Sequence, residues 1–124
     1  MPRTGRVRLI LVLVVTLIAV VATEIVARSR TEESRRRDYY RARAESYAWG
    51  EAEVLEQIAD TLKAARLAES NGDAQRREAD ALRSSAERLA RLGAWHVKLE
   101  RKYAWAAEHP WEPLPPDPPP PPSD

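Results

Sequence analysis

Hydrophobic and polar residues divide the 124-residue chain into four segments with different patterns. A short basic flank, residues 1–8, precedes a long apolar segment over residues 9–27. In residues 28–109, which are highly charged, apolar side chains recur every three or four positions, and residues 110–124 are rich in proline. The pattern predicts an all-α fold: a transmembrane helix that continues into an antiparallel, coiled-coil-like helical hairpin, followed by a disordered tail.

The apolar segment has the length and composition of a membrane-spanning helix. Its roughly 19 residues rise about 28 Å at about 1.5 Å per residue, close to the ~30 Å hydrocarbon core of a bilayer. Glu24 lies one turn from the end, where its carboxylate can reach the interface and pair with Arg28 at i+4. A signal peptide cleaved near Ala22 is the alternative, but no polar segment precedes Ala22, which favours the uncleaved anchor.

Basic residues on the two sides of this span predict its orientation in the cell membrane. Three arginines precede the span, whereas seven lie within residues 28–43. Because basic flanks tend to remain in the cytoplasm, the counts favour a cytoplasmic C-terminal domain.

Two apolar stripes separated by a turn predict the hairpin. Residues 70–73 read Ser-Asn-Gly-Asp, in which Asn71-Gly72 can adopt positive φ and Asp73 can cap the next helix. Folding the chain about this turn pairs the two stripes along their length. The predicted pairs are Leu55–Leu89, Ile58–Ala86, Leu62–Leu82, Ala65–Ala79, Tyr40–Tyr103, Ala44–Leu99 and Tyr47–His96.

The predicted seam between the helices is thin because many of its residues are alanine. Such a contact stabilises two helices by only a few kcal/mol, against the entropy of ordering the hairpin. We therefore expect self-association or a partner helix laid along the hairpin.

Aromatic residues concentrate at the end of the hairpin away from the turn. The register brings together what we call the aromatic base: Tyr40, Tyr47, Trp95, His96 and Tyr103, with Trp105 beside them. No second histidine, cysteine or paired carboxylate lies near His96 at the sequence spacing of a metal site. We therefore expect a packed, hydrogen-bonded histidine and no cofactor.

The C-terminal segment carries nine of the ten prolines. It can form neither helix nor sheet, and we expect extended polyproline II conformation. Trp111, Pro113 and Pro116 are candidate docking residues for a domain that binds proline-rich motifs, since Pro113 and Pro116 have P-x-x-P spacing. The sequence favours the simpler interpretation, a disordered, semi-rigid spacer whose Trp111 folds back onto the aromatic base.

Part of the C-terminal sequence carries a distinctive series of residues: Trp95-His96-x-x-Leu99-x-x-Lys102-Tyr103, then Pro110-Trp111-Glu112-Pro113 and Pro116-Asp117-Pro118-Pro119. The series resembles the C-terminal signature of a set of short uncharacterised bacterial single-pass membrane proteins, in which tyrosine usually occupies the position of Trp95. The resemblance implies a single-pass membrane protein with a tail, and it implies no activity.

Composition and motifs narrow the classes of function. The chain has no cysteine, no phosphate-binding loop and no catalytic triad motif, so we expect no enzyme. Its 20 basic and 19 acidic side chains alternate, which argues against nucleic-acid binding. We expect a membrane-anchored structural or adaptor protein that acts through helix contacts and its tail; a secreted or periplasmic helical binding module is the alternative.

Overall fold

The computed structural model describes residues 3–70, 72 and 75–122, and it confirms the all-α prediction. Helix α1 runs from Arg3 to Ser70 and helix α2 from Arg76 to Glu108; no strand occurs among these residues. The predicted transmembrane segment and first hairpin helix therefore belong to one helix. The chain divides into two compact units, residues 1–36 and 37–124.

The first unit is a helix with an exposed apolar surface. From residue 9 to residue 27 every described side chain is exposed, and the apolar stretch that begins at Leu9 is long enough to cross a membrane. Thr16 donates a 2.7 Å hydrogen bond to the carbonyl of Val12, and Thr23 donates to the carbonyl of Ala19. These back-bonds satisfy the hydroxyl groups within the helix, as an apolar environment requires.

The second unit is the predicted hairpin. Gly72, between the helices, has φ of +114°, a conformation that favours glycine because it has no Cβ. The Gln75 amide donates to the Gly72 carbonyl at 3.2 Å, which closes the turn just before α2. Asn71 and Asp73, expected to form the turn and cap α2, lie outside the described residues.

The seam between the helices of the second unit is built mainly from small side chains, as predicted. On α1 the residues that are buried or half-buried alternate by four and three positions, which keeps one face toward α2. The buried apolar residues of the two helices are Ala44, Val54, Ala65, Ala68, Ala79, Ala86, Leu99, Tyr103, Ala106 and Ala107. Only Leu99 and Tyr103 are large, so they supply much of the apolar burial.

The predicted register is confirmed near the aromatic base. The rings of Tyr40 and Tyr103 lie 6.1 Å apart, and those of Tyr47 and His96 lie 5.9 Å apart. Ala44 and Leu99 belong to one buried cluster, as their predicted pairing requires. Toward the turn, Ala65 and Ala79 are both buried.

The prediction for Leu55 and Leu62 is wrong. Leu55 is 57% exposed and Leu62 38% exposed, whereas Val54 is buried and its Cγ1 would lie 3.4 Å from a Cβ added to Gly93. Seven positions beyond Tyr47, about two helical turns, lies Val54 rather than Leu55. Val54 therefore packs at the seam beside Gly93 of α2.

Candidate peptide-docking site at the aromatic base

The aromatic base forms one continuous cluster of rings. Tyr47 stacks on Tyr103 at 5.6 Å with 17° between the ring planes, and it meets Trp95 edge-on at 6.0 Å. Trp95 meets His96 edge-on at 5.3 Å. All five predicted members of the base are thus brought together by the antiparallel helices, with Tyr40 packed against the buried cluster of Ala44, Leu99 and Tyr103.

Trp105 and Trp111 do not join the aromatic base, which corrects two predictions. Trp105 stacks instead on His109, with ring centroids 4.6 Å apart and 16° between the planes. Trp111 meets His109 edge-on at 5.8 Å and is 63% exposed. The three rings form a separate group at the end of α2, because Trp105 and His109 are one helical turn apart.

His96 is packed as predicted, with its ring atom Nδ1 turned away from solvent. This atom is buried and has no hydrogen-bond partner among the described residues. The ring lies so close to α1 that a Cβ added to Gly50 would be 2.6 Å from His96 Cε1 and 2.7 Å from Nδ1. Glycine at position 50 is therefore what lets the imidazole ring fit between the helices.

The C-terminal segment turns back along α2 immediately after the helix ends. The His109 amide donates to the Trp105 carbonyl at 3.0 Å, and the Glu112 amide donates to the His109 carbonyl at 3.0 Å. Pro110 is fully buried in this reversal. The turn directs the following prolines back toward the aromatic base rather than away from it.

Residues 114–118, which we call the docked segment, lie against the aromatic base and make specific contacts with it, where the sequence predicts a disordered tail. Leu114 packs on the buried cluster that contains Leu99 and Tyr103. The indole Nε1 of Trp95 donates a 3.0 Å hydrogen bond to the carbonyl of Pro118. A proline carbonyl accepts such a bond readily because a proline-rich chain forms none internally.

Asp117 provides the charged contact of the docked segment. Its Oδ1 lies 2.5 Å from the Lys102 ammonium nitrogen, and the Tyr103 hydroxyl lies 2.9 Å from Oδ2 and 3.0 Å from Oδ1. The guanidinium of Arg43 lies 5.4 Å from the Tyr103 ring centre and 5.9 Å from that of Tyr47. Lys102 and the Tyr103 hydroxyl thus contact this carboxylate directly, and Arg43 lies on the ring of the same tyrosine.

The pKa values of the docking groups are shifted in the directions that their contacts require. The hydrogen bond from Lys102 lowers the pKa of Asp117, and the Tyr103 hydroxyl lowers it further. Because the folded pKa is depressed, Asp117 stabilises docking above its ordinary pKa of about 4, and this contribution is lost as the pH falls through the folded value. Burial and the bond to Asp117 raise the pKa of Tyr103, which stays a neutral donor at neutral pH.

The predicted docking residues lie on the outer side of the tail. Trp111, Pro113 and Pro116 are all exposed, whereas Leu114 and Pro118 are half-buried against the hairpin. A polyproline II chain has about three residues per turn, so Pro113 and Pro116 share one face. The inward contacts hold the segment and leave its P-x-x-P face open.

Lys102, Asp117 and Arg43 belong to the site, although the prediction did not include them. Lys102-Tyr103 and Asp117-Pro118 both occur in the series of residues that resembles the signature of the bacterial membrane proteins. Their occurrence in one series is the sequence feature that could have indicated a contact between them. No group of three histidine, cysteine, aspartate or glutamate side chains suited to a metal ion occurs in residues 3–70, 72 and 75–122. The arrangement is suited to binding a peptide.

Comparison of the chain with protein-family models, with curated proteins and with solved structures finds no match.

Proposed function

We propose that this protein is a non-enzymatic membrane-anchored adaptor that presents a proline-rich strip to a partner domain. The observation that carries the proposal is the division of the tail into two faces. Leu114, Asp117 and Pro118 contact the hairpin, and Pro113 and Pro116 are exposed. A strip held in this way loses less conformational entropy when a partner binds it than a free chain would.

The apolar part of α1 supports the anchoring role. Its leucine, isoleucine and valine side chains are about one-half to two-thirds exposed, a surface that requires lipid or protein to cover it. Treating vesicles with alkaline carbonate tests anchoring: the full chain should stay with the lipid pellet. Recovery in the supernatant, with an N-terminus at Thr23, would support the secreted alternative instead.

Exposed apolar residues on α1 support a role for helix contacts. Trp49 is 79% exposed, and Leu55, Leu62 and Leu67 are exposed beyond it on the same helix. These exposed side chains could pack against a second copy of the chain or against a partner helix. The three- and four-residue spacing of the seam is typical of such coiled-coil-like contacts.

The partner of the strip is a domain with an aromatic-lined groove that recognises P-x-x-P segments. Replacing Pro113 and Pro116 with alanine should lower capture of that partner from solubilised membranes about tenfold or more, equivalent to about 1.4 kcal/mol. Helicity by circular dichroism should not change, because both prolines lie outside the helices.

Pro120→Ala provides the matched control. Pro120 is exposed in the same tail and has no proline three positions before or after it. Capture should equal that of the natural chain. Equal capture by the Pro113→Ala/Pro116→Ala chain would contradict recognition of the strip.

A further inference from the structure

The aromatic base has the features of a receptor for a proline-rich peptide, and it is seen with one bound. A tryptophan indole donates to a proline carbonyl, aromatic rings contact the segment, and an apolar residue, Leu114, packs on the buried cluster. Domains that bind proline-rich ligands use the same combination of aromatic surface and hydrogen-bond donor. What Asp117 adds is a requirement for acidic charge at a defined position.

We propose that the aromatic base with Lys102 is a binding site for peptides in trans that carry an apolar residue three positions before an Asp-Pro pair. The chain's own docked segment is then the intramolecular occupant of this site. The inference goes beyond the adaptor function, in which the tail is the ligand: here the hairpin is the receptor.

Three contacts set the specificity of this site. The Lys102 side chain is only 14% exposed and would lose its ionic partner in a peptide without the acid. The Tyr103 hydroxyl reaches both oxygens of the same carboxylate. The residue after the acid places its carbonyl on the Trp95 indole. An acidic residue satisfies the first two contacts, and the carbonyl of the residue after it satisfies the third. The apolar residue three positions before the acid packs on the buried cluster, as Leu114 does.

The natural occupant is held by contacts that a second peptide can replace. Its ion pair is partly open to solvent, with the Asp117 side chain 36% exposed, and such pairs contribute modestly. The remaining advantage of the tail is its covalent connection, which gives an effective concentration in the mM range for a short linker.

The test uses the full chain in detergent micelles and a fluorescent peptide of residues 110–124. In the Asp117→Lys chain the tail faces Lys102 with a like charge, so the site is freed. The peptide should bind this chain saturably, as measured by fluorescence anisotropy, and at least about tenfold more tightly than the natural chain. The Glu112→Lys chain makes the same charge change at an exposed tail position, and it should bind as weakly as the natural chain.

Reversing the charges checks that binding occurs at this site. A chain with Lys102→Glu should reject the natural peptide and bind a peptide carrying Asp117→Lys. A peptide carrying Pro113→Ala and Pro116→Ala should still bind the freed chain, which separates this result from that of the adaptor test. Absence of saturable binding to the Asp117→Lys chain at peptide concentrations up to about 1 mM, with its helicity intact, would overturn the proposal.

Discussion

Replacing Leu99 with alanine should lower the free energy of unfolding of the hairpin by about 2–5 kcal/mol. Leu99 is 0% exposed and forms the buried cluster together with Ala44 and Tyr103. Few other large side chains are buried in the second unit. The residues around Leu99 therefore cannot easily close the cavity that the substitution leaves. Urea unfolding of the full chain in micelles, followed by tryptophan fluorescence, measures the loss.

Leu55→Ala is the matched control for this prediction. It removes the same atoms from a residue that is 57% exposed on α1. A change within about 0.5 kcal/mol is expected, as is usual for an exposed position. If Leu55→Ala lowered the free energy of unfolding as much as Leu99→Ala does, Leu55 would have to be packed in the seam. That result would contradict the register described above.

Replacing Gly50 with alanine should destabilise the hairpin even though alanine favours helix. The added Cβ would be 2.6 Å from His96 Cε1, and the imidazole is confined by Tyr47 and Trp95. Overpacking costs about 1–3 kcal/mol, while the gain in helix propensity is about 1 kcal/mol, so a net loss of up to about 2 kcal/mol is expected. The same urea experiment reports the difference.

Gly93→Ala makes the identical substitution on the facing helix with the opposite expected sign. Its added Cβ would be 3.4 Å from Val54 Cγ1, an ordinary van der Waals contact. The gain in helix propensity, about 1 kcal/mol, then dominates and the hairpin becomes more stable. Equal effects of the two substitutions would show that His96 does not pack against Gly50.

The helices and the aromatic base were predictable because both follow from periodicity. Side chains spaced by three and four share a helix face, and the turn fixes which residues of the two faces meet. That reasoning placed Tyr40 beside Tyr103 and Tyr47 beside His96, and the structure confirms both contacts. It failed at Leu55, since leucine is the more apolar residue but the adjacent Val54 lies at the seam.

The docked segment could not be predicted from local pattern. Proline prevents the segment from forming a helix or a sheet ladder, which is why a disordered tail was expected. The contacts that hold it join residues far apart in sequence, Lys102 with Asp117 and Trp95 with Pro118. Such pairs have no periodicity. Only the buried turn at Pro110 directs the chain toward them.

Hydrogen exchange of the four tryptophan indoles tests the docking of the tail most directly. The Nε1–H group of Trp95 is bonded to the Pro118 carbonyl, whereas Trp49, Trp105 and Trp111 are 79%, 41% and 63% exposed. NMR spectra of the full chain in micelles should show slow exchange for the Trp95 indole and fast exchange for the two most exposed ones, with Trp95 losing its protection in the Asp117→Lys chain. Equally fast exchange of Trp95, Trp49 and Trp111 in the natural chain would contradict a tail docked on the aromatic base.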